Sequence, residues 1–95
     1  MLRFIATHPG AFSFETLQPL AKEPMPEGVT WKATFVAFDD NRTFCHWEAP
    51  SMEDVLAIFA KYEIPYDAIY EVRLFDPVSG TMETATPERK VPEPV

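Results

Sequence analysis

Ninety-five residues, 46% of them hydrophobic and including eight Phe, three Tyr and two Trp, are enough for one hydrophobic core and too few for two. Fifteen Asp and Glu against eight Lys and Arg leave a net charge of −7, a field that repels phosphate backbones and anionic bilayers, so neither nucleic acid nor membrane is expected as a partner. The lone Cys45 excludes an internal disulfide and any CxxC zinc framework, and residues 1 to 20 carry neither a signal peptide nor a spanning run, which makes a cytoplasmic protein the expectation.

Leu2 to His8 is mostly apolar or β-prone and stops at the Pro9-Gly10 breaker, which predicts a first strand. Ser13 is placed to cap a helix entering at Phe14, with Glu15 in the first turn against the positive end of the dipole. Pro19 removes a hydrogen bond inside that helix and Pro24-Met25-Pro26 stops it, so it extends for no more than about three turns. Val29 to Phe38 is β-branched and aromatic, Asp39-Asp40-Asn41 reads as a turn, and Arg42 to Ala49 resumes the extended pattern as the second arm of a hairpin.

A second helix opens after Pro50, with Ser51 as N-cap and Glu53 and Asp54 in its first turn; Met52, Val55, Leu56, Phe59 and Ala60 have the spacing of one buried stripe. Ile64-Pro65 ends it. Tyr66 to Phe75 follows as a fourth strand, closed by the turn Asp76-Pro77-Val78-Ser79-Gly80, and Thr81 to Thr84 returns as an extra C-terminal edge strand. Residues 86–95 hold Pro87, Pro92 and Pro94 without periodicity and read as an extended or disordered tail to a domain spanning 1–85.

The order βαββαβ predicts an α+β, ferredoxin-like domain: an antiparallel four-stranded sheet with two helices on one face. Alternation then sorts the side chains. Leu2, Phe4 and Ala6 of the first strand, Trp31, Ala33, Phe35 and Ala37 of the second, and Tyr70, Val72 and Leu74 of the fourth read as core. On the third strand the polar count puts Thr43, Cys45, Trp47 and Ala49 under the helices and Arg42, Phe44, His46 and Glu48 on the open face. That open face collects Arg3, Lys32, Thr34, His46, Glu48, Glu71 and Arg73 with Ile5, Val36, Phe44 and Phe75, a mixture too apolar to remain wet. A second copy packed sheet to sheet, as in a dimeric α+β barrel, is the economical cover.

His46 and Glu48 leave one face of one strand roughly 7 Å apart and offer an imidazole and a carboxylate, donors that suit nickel, zinc or manganese; a further donor is available from His8, Cys45 or a partner subunit. The competing reading is a small-molecule binder or enzyme in which His8, Tyr66 and Glu71 supply acid–base groups, and a third is an interaction module with no chemical site. No nucleophile motif and no glycine-rich phosphate loop is present.

Three segments, Gly28-Val29-Thr30-Trp31, Thr43-Phe44-Cys45-His46-Trp47-Glu48-Ala49-Pro50 and Asp67-Ala68-Ile69-Tyr70-Glu71-Val72, together resemble a small domain-of-unknown-function family of ferredoxin-like proteins, some members of which are described as nickel-binding. The likeness spans roughly residues 1 to 75, and Phe44-Cys45 followed by Glu48-Ala49-Pro50 is its most specific part. It implies a ferredoxin-like homodimer and Ni²⁺ or another divalent transition metal as ligand. It also strengthens His8 and Cys45 as metal candidates beside His46 and Glu48, because His8 falls where the family places a histidine after the first strand. The family's first helix is longer and unbroken, so no donor from that helix carries over to this chain. Patterning puts His8 and Cys45 under the helices and His46 and Glu48 on the opposite face.

Overall fold

The computed structural model describes residues 1–84, so the tail expected over 86–95 lies outside the described residues. Its elements are β1 (Leu2–Pro9), α1 (Phe14–Ala21), β2 (Thr30–Ala37), β3 (Arg42–Ala49), α2 (Met52–Lys61), β4 (Ala68–Val72), β5 (Phe75–Asp76) and β6 (Thr81–Met82). The first four strands form an antiparallel sheet in the order β2-β3-β1-β4. The two parallel strands β1 and β2 are thus separated by β3, which is the arrangement of interleaved βαβ units and is consistent with the ferredoxin-like expectation.

Both helices start where their caps dictate. The Ser13 hydroxyl accepts from Thr16 N at 3.2 Å, and Ser51 accepts from Asp54 N at 3.4 Å. Helix α2 ends with Glu63 at φ 54°, and Ile64 N returns to Phe59 O at 2.8 Å, the wrap that satisfies the last carbonyls before Pro65. Helix α1 is only eight residues long, contains Pro19 and buries none of its residues. The stripe on α2 is shifted from the expected one: Val55, Ile58 and Phe59 are buried, Met52 and Leu56 partly so, and Ala60 is exposed.

The core lies between α2 and one sheet face, where Phe4, Ala6, Cys45, Trp47 and Ala49 meet Val55, Ile58 and Phe59. The alternation on β1 and β3 is as expected, and Cys45 is buried. Burying a phenylalanine this way stabilises by roughly 1.5–3 kcal/mol.

Three expectations are corrected. A β-bulge between Trp31 and Ala33 shifts the register, so that Trp31 lies opposite Trp47 but Ala33 lies opposite His46 and Thr34 opposite Cys45. The extra residue inverts the faces beyond it: Thr34 and Val36 turn inward, while Ala33, Phe35 and Ala37 share the open face, with Phe35 62% exposed. Strand β4 is shorter than Tyr66–Phe75 and presents the opposite face, because Ile69 and Glu71 pair with Ala6 and Phe4 whereas Tyr70 pairs with Ile5. Finally, Thr81–Met82 does not extend the main sheet; it pairs with Phe75–Asp76 in a separate two-stranded hairpin.

Two substitutions test this ledger of forces in urea unfolding at fixed protein concentration. Phe4→Ala removes a fully buried ring and is expected to cost about 3–5 kcal/mol. Ser51→Ala removes only the α2 cap and should cost about 1 kcal/mol.

Candidate functional site

His8 ends the inward set of β1, opposite Thr43, and is fully buried. Its Nδ1–H donates to the Pro65 carbonyl at 2.8 Å, which leaves Nε2 as the unprotonated nitrogen of the neutral ring. That nitrogen is buried and has no hydrogen-bond partner. The ring packs against Phe12 at 5.2 Å and edge-on against Phe59 at 5.1 Å, and burial holds its pKa below the ordinary histidine value. Thr43 braces the turn that follows, accepting from Phe12 N and donating to Gly10 O, both at 2.9 Å.

Cys45 lies on the same side of the sheet as His8, and both line a cavity of about 20 Å³ between the sheet and the helices, with Phe12, Met25, Trp31 and Trp47 among its other walls. Burial pushes the Cys45 thiol up, against weaker opposing effects of the Thr34 hydroxyl, 3.2 Å from the sulfur, and the Trp47 indole. Trp31 stacks on Trp47 at 5.7 Å and donates to Thr34 at 2.7 Å. The Trp47 indole N–H, by contrast, is buried, and its polar neighbour is the Cys45 thiol, whose thiolate it favours without a well-formed hydrogen bond.

On the opposite face the register sets Arg3 directly across from Glu48 and Ile5 across from His46. Arg3 Nη1 donates to His46 Nε2 at 2.5 Å and lies 3.3 Å from Glu48, and its Nε and Nη2 bind the two oxygens of Glu83 at 2.9 and 2.6 Å. Burial and the Arg3 charge hold His46 below the ordinary histidine pKa. The Arg3 hydrogen bonds hold Glu83 at about 2. Glu83 is fixed from behind as well, because its carboxylate accepts from Leu74 N at 2.7 Å.

The four metal candidates therefore separate into two pairs on opposite sheet faces: His8 with Cys45, and His46 with Glu48. The acid–base trio does not converge either. Tyr66 packs its ring on Phe59 near His8, whereas Glu71 pairs with Phe4, further along β1. Sequence reasoning missed Glu83 and the role of Arg3; an outward arginine at the start of a central strand was visible, but its acidic partner arrives from eighty positions away.

A metal is tested most directly by the charge already present on the open face. His46 Nε2, Glu48 and Glu83 each contact the Arg3 guanidinium, so the positive charge among them is the protein's own. Among the described residues no group of three or more His, Cys, Asp and Glu stands close enough to hold a metal ion, so the pair supplied by one chain needs donors from elsewhere. The His8–Cys45 pair offers one free lone pair and a thiol held protonated in apolar surroundings.

A family model described as nickel responsive protein SCO4226-like matches residues 6–72 of the chain. No curated protein and no solved structure matches significantly. No helix among the described residues is long and apolar enough to cross a membrane.

The two depressed imidazoles set an acid sensitivity. Above pH 6.5 the folded and unfolded states both keep His8 neutral; below it the unfolded chain gains a proton that the fold refuses, so stability falls as pH drops from 6.5. One such group gives a slope of up to about 1.4 kcal/mol per pH unit, and His46 acts in the same direction. The contribution of Glu83 is lost separately, as pH falls from 4.5 toward 2. Urea midpoints between pH 7 and 5 should decline, and less steeply in His8→Phe; a flat wild-type profile would show that neither imidazole is held neutral.

Proposed function

The chain belongs to the SCO4226-like nickel responsive protein family, and from that premise we propose that it is a homodimer that binds nickel, or another divalent transition metal, between its two sheets through His46 and Glu48 of each copy. The observation that carries this reading is the guanidinium seated between His46 Nε2 and Glu48, a positive charge of the protein's own in the place a metal ion would take. A bound metal supplies a point of charge that draws imidazole and carboxylate donors from both copies together. Two-fold packing doubles one imidazole and one carboxylate into a set of four, nitrogen and oxygen donors that nickel accepts.

Arg3 has somewhere to go. Glu83 holds it with two hydrogen bonds independent of His46 and Glu48, so releasing those two leaves the arginine charge paired. The dimer itself is supported by the open face, where Phe35 and Tyr70 are 62% and 56% exposed beside the half-buried Ile5, Phe44 and Val72. Pairing of the sheets in the manner of a dimeric α+β barrel covers that surface. A reducing, cytoplasmic setting fits the buried free thiol of Cys45.

Calorimetric titration with Ni²⁺ is expected to give one metal per two chains. His46→Ala should abolish the heat, and Arg3→Ala should tighten binding by removing the competing cation. His8→Ala and Cys45→Ser should leave affinity within about threefold. Loss of binding in those two variants but not in His46→Ala would move the metal to the other face and sink the assignment. Independently, sedimentation should show a dimer that Tyr70→Glu converts to monomer; a wild-type monomer at tens of micromolar would remove the shared site.

A further inference from the structure

The β5–β6 hairpin adds nothing to the hydrophobic core. Its Phe75, Val78 and Met82 are exposed, and none of its residues belongs to the cluster packed between α2 and the sheet. A cleft of about 400 Å³ is lined jointly by Leu2 and Val72 of the sheet and by Met82 and Thr84. A ribbon of two residues per strand is marginal without support. Among the described residues, the hydrogen bonds and ion pairs that tie it to the sheet all come from one side chain: Arg3 Nε and Nη2 donate to the two oxygens of Glu83 at 2.9 and 2.6 Å. Glu83 in turn closes the base of the hairpin. Its N–H donates to Leu74 O at 3.0 Å and its carboxylate accepts from Leu74 N at 2.7 Å.

The same arginine occupies the open-face site. Its Nη1 donates to His46 Nε2 at 2.5 Å and lies 3.3 Å from Glu48. That imidazole nitrogen has one lone pair, so Nη1 and a metal ion exclude each other there. What the guanidinium keeps after it gives up His46 sets the cost of metal binding. Its carboxylate partners among the described residues are Glu48 and Glu83. With Glu83 in place, Glu48 is free to turn to the metal while the arginine stays paired through two charge-assisted hydrogen bonds. Without Glu83, the arginine's remaining counter-charge is Glu48, the carboxylate the metal needs. The Arg3 side chain is only 14% exposed, so water compensates an unpaired guanidinium poorly.

We propose that Glu83 is a positioning residue for the open-face site: it retains the Arg3 guanidinium when His46 and Glu48 turn to a metal, and it thereby couples the β5–β6 hairpin to occupancy of that site. This rests on the nickel reading above. Linkage makes the coupling reciprocal: a hairpin held through Glu83 favours the metal, and the metal, by leaving Arg3 to Glu83 alone, tightens the hairpin.

Calorimetry with Ni²⁺ on the full-length protein reads the first half. Glu83→Gln, which keeps the shape and loses the charge, should weaken Ni²⁺ binding by at least about fivefold. In an Arg3→Ala background the same substitution should change affinity by less than about twofold, because Glu83 acts through the arginine. Hydrogen exchange at the Leu74 amide, which donates to Glu83, reads the second half. Arg3→Ala should speed it in the metal-free protein and saturating Ni²⁺ should slow it in the wild type, each by at least about threefold. Wild-type affinity in Glu83→Gln, a loss that persists without Arg3, or Leu74 exchange indifferent to Arg3→Ala or to Ni²⁺ would each overturn the proposal while leaving nickel binding in place. A wild-type protein that takes up no Ni²⁺ would instead remove the nickel reading, and this coupling with it.

Discussion

The antiparallel register between β1 and β3 is the constraint on which the rest depends. Leu2 opposite Ala49 and Pro9 opposite Arg42 fix every pair between them, and because side chains alternate with a period of two, a slip of one residue would exchange the two faces of the molecule. The same register sets His8 beside Thr43 under the helices and Arg3 across from Glu48 in the open. Both polar sites therefore come from one pairing, and neither could move without the other.

The two faces handle their charged and polar groups differently. On the open face every ionisable group of the cluster has a partner: Arg3 serves His46, Glu48 and Glu83 together, and the bidentate contact to Glu83 is the strongest part of it. Under the helices, Thr34 and Thr43 are satisfied through hydroxyl contacts, but His8 keeps Nε2 without a partner. A core optimised only for stability would put apolar atoms there. The helix side thus holds the unpartnered imidazole nitrogen, while the Arg3 cluster on the open side is fully paired.

Much of this was legible along the chain. Ser13 and Ser51 mark their helices because a hydroxyl before a run of unpaired N–H groups has one favourable role, and Asp39-Asp40-Asn41 marks the hairpin because Asn41 tolerates φ 53°. The division of His8 and Cys45 from His46 and Glu48 was also readable, since both strands that carry them alternate without interruption. What escaped was the company these residues keep. Arg3 and Glu83 are joined by two hydrogen bonds between residues eighty positions apart, a contact that no local pattern encodes.

By itself, then, the sequence determined the α+β class, the order of strands and helices, and the inward placement of Cys45, because each follows from periodicity, capping and turn chemistry acting over a few residues. Tertiary structure alone decided which way β2 faces beyond Lys32, which face β4 presents, and where Thr81–Met82 pairs. A bulge inverts parity at no compositional cost, so Thr34 and Phe35 look interchangeable until Thr34 is seen against Cys45. On β4 both faces are apolar enough to enter a core, and the choice of Ile69 over Tyr70 was made by the pairing of Ile69 with Ala6, not by anything in β4 itself.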